Sequence, residues 1–99
     1  MANYLLSNKA VDDLSEIWNY TFDEWSESQA DKYYNLLLGC CKDLAVAKVR
    51  GRIYSEVNPA IWGFHIGQHI IFYRIYQTDT IEIVRILHSM MDLKIRLLE

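Results

Sequence analysis

The sequence predicts a single α+β domain spanning residues 1–99: an N-terminal antiparallel helical hairpin packed on an antiparallel β-sheet of roughly three to four strands, closed by a short C-terminal helix. Three observations carry that expectation. Apolar residues recur at helical spacing through the first half, and the period changes at Gly51. Two β-branched, aromatic-rich runs, His69-Ile-Ile-Phe-Tyr-Arg74 and Ile81-Glu-Ile-Val-Arg-Ile-Leu-His88, then flank the polar break Gln77-Thr78-Asp79. With 52% hydrophobic residues, a chain of 99 can bury a core without disulfide staples.

Tyr4-Leu-Leu6 is long enough for a short first strand. Ser7 then serves as N-cap of a helix whose early turns carry Asp12, Asp13 and Glu16, charges favoured at the positive end of the helix dipole. Val11, Leu14, Ile17, Trp18, Phe22 and Trp25 follow on an amphipathic period. Ser26-Glu-Ser-Gln29 has the form of a capping box that restarts a helix after a very short connection. Ala30, Tyr33, Leu37, Cys40, Cys41 and Leu44 keep the period to about Ala47.

Gly51 ends the helical pattern, Arg52 to Val57 alternates as a strand does, and Asn58-Pro59 marks a turn. Ile61 to Ile66 is the next strand, and Gly67-Gln68 suits a tight hairpin into the two C-terminal runs. Ser89 to Leu98 has room for a closing helix. Helices on one face leave the other only partly covered, while the central run is apolar on both faces (Ile70 and Phe72 against Ile71, Tyr73 and Ile75), so a partner peptide is a natural occupant.

The formal charge of −3 and pI near 5.5 disfavour a protein whose work is gripping phosphate backbones, so no sequence-specific nucleic-acid binding is expected. Cys40 and Cys41 are adjacent within a helical pattern, which suits neither a structural disulfide between them nor metal spacing; they read as packing residues in a reducing cytoplasm. No signal sequence and no apolar run of membrane-spanning length is evident, and neither a metal nor a cofactor is expected. His65, His69 and His88 are the candidate acid/base groups, yet no nucleophile-base pair accompanies them, and no catalytic residue is assigned.

Arginines inside strands must be paired or aimed at a ligand. Across the Gln77–Asp79 loop Arg74 falls opposite Glu82, which suggests a cross-strand pair. Arg85 lies on the other face without an evident strand partner, which favours a binding role. Trp18, Trp25 and Trp62, with Tyr33 and Tyr34, could stack on bases, but the first helix is acidic and protein contact is the better reading.

The words His69-Ile-Ile-Phe-Tyr-Arg74, Arg85-Ile-Leu-His88 and Met91-Asp92 closely resemble the ParE branch of the ParE/RelE toxin superfamily. Tyr4-Leu-Leu-Ser7, Asp13-Leu-Ser-Glu-Ile-Trp18, Tyr20-Thr21, Trp25, Gln29-Ala30, Gly51-Arg52 and Glu56 extend the resemblance over most of the chain. The chain departs from the family at Met90, where an arginine is usual, at Lys48-Val-Arg50, where a proline normally precedes the glycine, and at Pro59-Ala-Ile-Trp62. The resemblance implies a non-enzymatic, cytoplasmic toxin of a type II toxin-antitoxin system that inhibits DNA gyrase by binding. It also implies a ParD-like or related antitoxin whose C-terminal segment wraps the toxin in a hetero-oligomer.

Target contacts are then expected at His88, Met91, Asp92 and Arg96, and antitoxin contacts at Trp18, Trp25, Trp62, Arg74 and Arg85. The alternatives are a ribosome-dependent mRNA endonuclease of the RelE type and a degenerate toxin that retains only antitoxin binding. After Asp92 the sequence offers no tyrosine or histidine, which counts against the nuclease.

Overall fold

The computed structural model describes residues 3–98 in the order β1 (Asn3–Leu6), α1 (Asn8–Glu24), α2 (Glu27–Ala45), β2 (Arg52–Ile53), β3 (Trp62–Ile66), β4 (His69–Gln77), β5 (Thr80–His88) and α3 (Leu93–Leu98). The class is α+β, as expected; residues 1, 2 and 99 of the expected domain lie outside the described residues. The sheet has five strands in the order β1-β5-β4-β3-β2. Strands β2 to β5 form the antiparallel meander. The fifth strand is β1, which pairs in parallel with β5 and makes the sheet mixed.

Both hairpin helices start where their caps are. Ser7 Oγ accepts from the Ala10 N–H and Ser26 Oγ from the Gln29 N–H, each satisfying an amide the first turn leaves orphaned. The second helix ends at Ala45, two residues before the sequence suggests. Ala47 adopts φ 60°, its N–H reaches the Leu44 carbonyl, and Lys48 N–H reaches that of Asp43. This is a Schellman ending with alanine where glycine is preferred, which is why no glycine announces it.

One core cluster lies between the helices and the sheet, with Leu14, Leu37, Cys41, Ile71, Ile83 and Ile86 at its centre. A second lies on the opposite face, where Leu93 and Leu97 of α3 cover Ile70, Phe72 and Leu87 beside Tyr54. Strand β5 serves the first cluster by breaking its alternation. Arg85 stands opposite Phe72 and Ile83 opposite Tyr73, so Val84 is an extra, bulged residue and Ile83 and Ile86 both face the helices.

Four local expectations are corrected. Arg52 to Val57 is a strand only at Arg52–Ile53; the Val57 and Asn58 amides both close onto the Tyr54 carbonyl, and Arg52 reaches Glu56 one turn on, so the segment curls. The break between β4 and β5 is the two residues Thr78 and Asp79, since Gln77 already pairs with Thr80. On α1 the buried stripe is Ala10, Asp13, Leu14 and Ile17, while Val11, Phe22 and Trp25 are exposed. No acidic residue occupies the first turn of α1, so Asp13 does not act on the helix dipole. Among the described residues no helix is long and apolar enough to cross a membrane.

Candidate functional site: a groove between the helical hairpin and the C-terminal corner

The parallel strand β1 stops at Leu6, level with Ile83, and leaves the rest of β5 without a strand on that side. Side chains take over its open edge. Ser7 Oγ donates to the Val84 carbonyl at 2.7 Å, and the Asp13 carboxylate accepts from the Ile86 N–H at 3.0 Å. The same carboxylate receives Arg85 in fork geometry, Nε at 2.9 Å and Nη2 at 3.0 Å, with side chains only 9% and 11% exposed. Arg85 Nη1 reaches the Arg96 carbonyl of α3 at 2.8 Å. Because β1 ends early, α1 lies against β5 without covering its last residues, and a groove opens there.

That groove has a volume of about 830 Å³. Ile17, Tyr20, Trp25 and Tyr33 of the hairpin form one wall; Ile86, Leu87, Met90 and Met91 line the other, with Glu16, Arg96 and His88 at its margin. It is a largely apolar cleft with a few polar groups, as a recognised segment requires. Trp25 is 74% exposed and Met90 85%, so large apolar side chains face solvent on both rims.

At one end of the groove sits a small polar cluster. The Gln68 N–H donates to Tyr33 Oη at 3.1 Å, and Tyr33 Oη lies 2.6 Å from His69 Nδ1. The phenol oxygen thus accepts from the Gln68 N–H and shares a second hydrogen bond with Nδ1, whose direction follows the tautomer of the imidazole. Burial, with His88 alongside at 5.3 Å between ring centroids, pushes His69 down to about 4, against the pull of Asp13. Burial likewise raises Tyr33. His88 Nδ1 accepts from the Met90 N–H and holds the turn that leaves β5, so the closing helix begins at Leu93 rather than near Ser89. Gly67 fits the turn before His69 because its φ is 57° and because a Cβ there would lie 2.7 Å from the Tyr33 hydroxyl.

The residues expected from sequence fall in several places. His88, Met91 and Arg96 line the groove; Asp92 sits beside it and accepts from the Ile95 N–H as cap of α3. Trp25 and Arg85 belong to the same groove, whereas Trp18 is half-buried, stacked on Phe22 and donating to Asp31. Trp62 stacks on Tyr73 at the far end of the sheet, beside a separate cavity of about 460 Å³. Arg74 pairs with Glu82 at 2.6 Å, the expected cross-strand pair. Arg85, expected to have no strand partner and so to be open to a ligand, instead commits its guanidinium to two helices, at Asp13 of α1 and the Arg96 carbonyl of α3.

Asp13, Tyr33, Tyr20 and Met90 went unassigned as groove-forming residues. For Asp13 a signal existed: the Ala10, Leu14, Ile17 spacing places it on the apolar stripe, and a charge there implies a buried counter-charge. The thiols take no part, since burial pushes Cys40 up to about 11 and Cys41 up to about 12. Among the described residues no group of three or more His, Cys, Asp or Glu could hold a metal ion.

Comparison with known proteins bears on this geometry. The profile of a family described as the ParE toxin of type II toxin-antitoxin system, parDE, matches residues 4–93. Toxin ParE1 of Mycobacterium tuberculosis (strain H37Rv) is 40% identical over 92 residues, covering 92% of this chain and 93% of that protein. Toxin ParE1 of Caulobacter vibrioides is 30% identical over 97 residues, 98% of this chain and 99% of that one, and Toxin ParE of Escherichia coli is 32% identical over 97 residues, 98% and 94%. A solved structure titled as the chromosomal ParDE TA system from P. aeruginosa shares the fold with a TM-score of 0.73, at 20% identity over 89% of this chain and 95% of that one.

Proposed function

Because the chain belongs to the ParE family, toxins of type II toxin-antitoxin systems, we propose that it acts in the cytoplasm by binding DNA gyrase and is neutralised by an antitoxin segment that occupies the groove. The supporting observation is a placement. The matched region includes His88, Met91 and Asp92, which leave β5 as an exposed corner, and the groove runs from that corner to Trp25. A segment lying in the groove would bury the exposed rims and reach the corner, so one partner could mask the surface that engages the other. On this reading His88, Met91, Asp92 and Arg96 contact the target, and Trp25 anchors the antitoxin. The more distant Trp18, Trp62 and Arg74 could meet only a partner that wraps beyond the groove.

Binding alone is the proposed mechanism. The competing reading, ribosome-dependent mRNA cleavage, draws on the meeting of Tyr33, His69 and His88 with Arg85 in one cleft. Two observations weigh against it. His69 Nδ1 is already engaged with the Tyr33 hydroxyl in a group pushed down to about 4, and Arg85 is paired with Asp13 instead of facing a phosphate. The test is a supercoiling assay with purified gyrase, run beside a ribosome-bound mRNA cleavage assay. Inhibited supercoiling, relieved by the cognate antitoxin, supports the proposal; mRNA cleavage lost on His88→Ala sinks it.

A further inference from the structure

The helix α3 has six residues, too few to persist on its own. Its start is capped by Asp92, and its apolar side rests on the second core cluster through Leu93 and Leu97. Its last-turn carbonyls have no partner within the helix, and one of them, that of Arg96, receives Arg85 Nη1 at 2.8 Å. The donor is fixed from behind. Arg85 presents Nε and Nη2 to Asp13 on α1, and Asp13 is itself pinned by the Ile86 N–H. One guanidinium thus joins three elements and donates to a carbonyl of the last turn of α3.

We propose that Arg85 is a positioning residue for target binding: anchored on Asp13, it caps α3 through the Arg96 carbonyl and so holds Met91, Asp92 and Arg96 in the arrangement that meets the target. The proposal rests on the reading that this corner engages gyrase. It adds that the corner's geometry is set from α1, through an anchor 72 residues before Arg85 in sequence. Fork geometry is essential to it, since a lysine ammonium could meet Asp13 or the Arg96 carbonyl but lacks the planar array that serves both.

Arg85→Lys therefore keeps a cation beside Asp13 and loses the cap. As a second variant, Asp13→Asn with Arg85→Leu removes both charges of this pair together, keeps an oxygen for the Ile86 N–H and offers nothing to the Arg96 carbonyl. Hydrogen exchange of the full-length proteins should show amides of Leu93–Leu98 accelerated at least tenfold more than those of Ile71 and Phe72 in both variants, the core amides reporting the loss of global stability alone. Gyrase inhibition should need at least tenfold more of either variant. A purely structural pair would accelerate α3 and core amides by the same factor and spare the inhibition measured per folded molecule. Exchange of α3 within twofold of wild type in Arg85→Lys would overturn the proposal, as would a loosened α3 with undiminished inhibition. Wild-type protein that spares gyrase would refute the target reading instead, and the exchange of α3 would then decide the positioning claim alone.

Discussion

Replacing Asp13 by alanine should destabilise the domain by about 3–5 kcal/mol, the usual cost of removing one member of a buried ion pair. The structure supplies the reasons. Asp13 accepts three hydrogen bonds, two from Arg85 and one from the Ile86 N–H, at 2.9–3.0 Å. Its loss leaves a guanidinium only 11% exposed without its counter-charge and a strand amide without an acceptor. An orphaned amide alone costs about 1–3 kcal/mol. Domains of this size unfold with about 5–15 kcal/mol, so the variant should be folded but fragile. With a urea m-value of about 2 kcal/mol per molar, the unfolding midpoint should fall by about 2 M. Asp13→Asn, which keeps an oxygen for Ile86, should lose roughly half as much. A double-mutant cycle with Arg85→Leu should return a coupling of about 2 kcal/mol or more. A loss below about 1 kcal/mol for Asp13→Ala, or strict additivity with Arg85→Leu, would refute the claim that this pair closes the open edge of β5.

Other perturbations test other parts of the structure. The His69 imidazole is held neutral in the fold at about 4, below its unfolded value of roughly 6.5, so the unfolded chain takes up the proton first. Stability from this group is complete above roughly pH 6.5 and is lost as pH falls towards 4; discounted for its partial exposure, the loss is about 1–2 kcal/mol. Urea titrations at pH 7 and pH 4.5 should show that increment disappear in His69→Phe, and an unchanged pH dependence would contradict the assignment. Ala47→Gly should raise stability by about 0.5–1 kcal/mol because φ 60° at the end of α2 costs alanine and not glycine, as a thermal melt would show. Trp25→Ala should leave the melting midpoint within a degree or two and weaken antitoxin binding at least tenfold by calorimetry, given how fully that ring is exposed.

The helices were legible because their caps and periods are local: Ser7 and Ser26 sit where the structure uses them, and Leu14, Ile17, Leu37 and Leu44 face the core. The pairing of Arg74 with Glu82 was named, but not by the right count: with Gln77 opposite Thr80 the turn alone would set Arg74 opposite Ile83, and the irregularity between Ile75 and Gln77 returns it to Glu82. What escaped depends on contacts far apart in sequence. Nothing near Tyr4 says that β1 will lie parallel to β5, and nothing near Val84 announces a bulge. The commitment of Arg85 follows from both, because β1 must end at Leu6 before Asp13 can reach that edge. The candidate corner was visible as residues, His88 to Arg96, but its groove was not. The groove needs Trp25 and Tyr33 brought beside Met90, and that placement comes from the packing of α1 on β5.

The central claim is that the protein acts by binding through the corner that follows β5, and it is tested most directly by gyrase supercoiling titrated with wild-type protein and with Met91→Ala/Arg96→Ala. These two side chains are exposed, so the variant should keep its unfolding midpoint, whereas deleting the segment would also strip Leu93 and Leu97 from Phe72. The account predicts inhibition by the wild type, at least a tenfold loss of potency in the variant, and intact ribosome-bound mRNA throughout. Undisturbed supercoiling together with cleaved mRNA would contradict it.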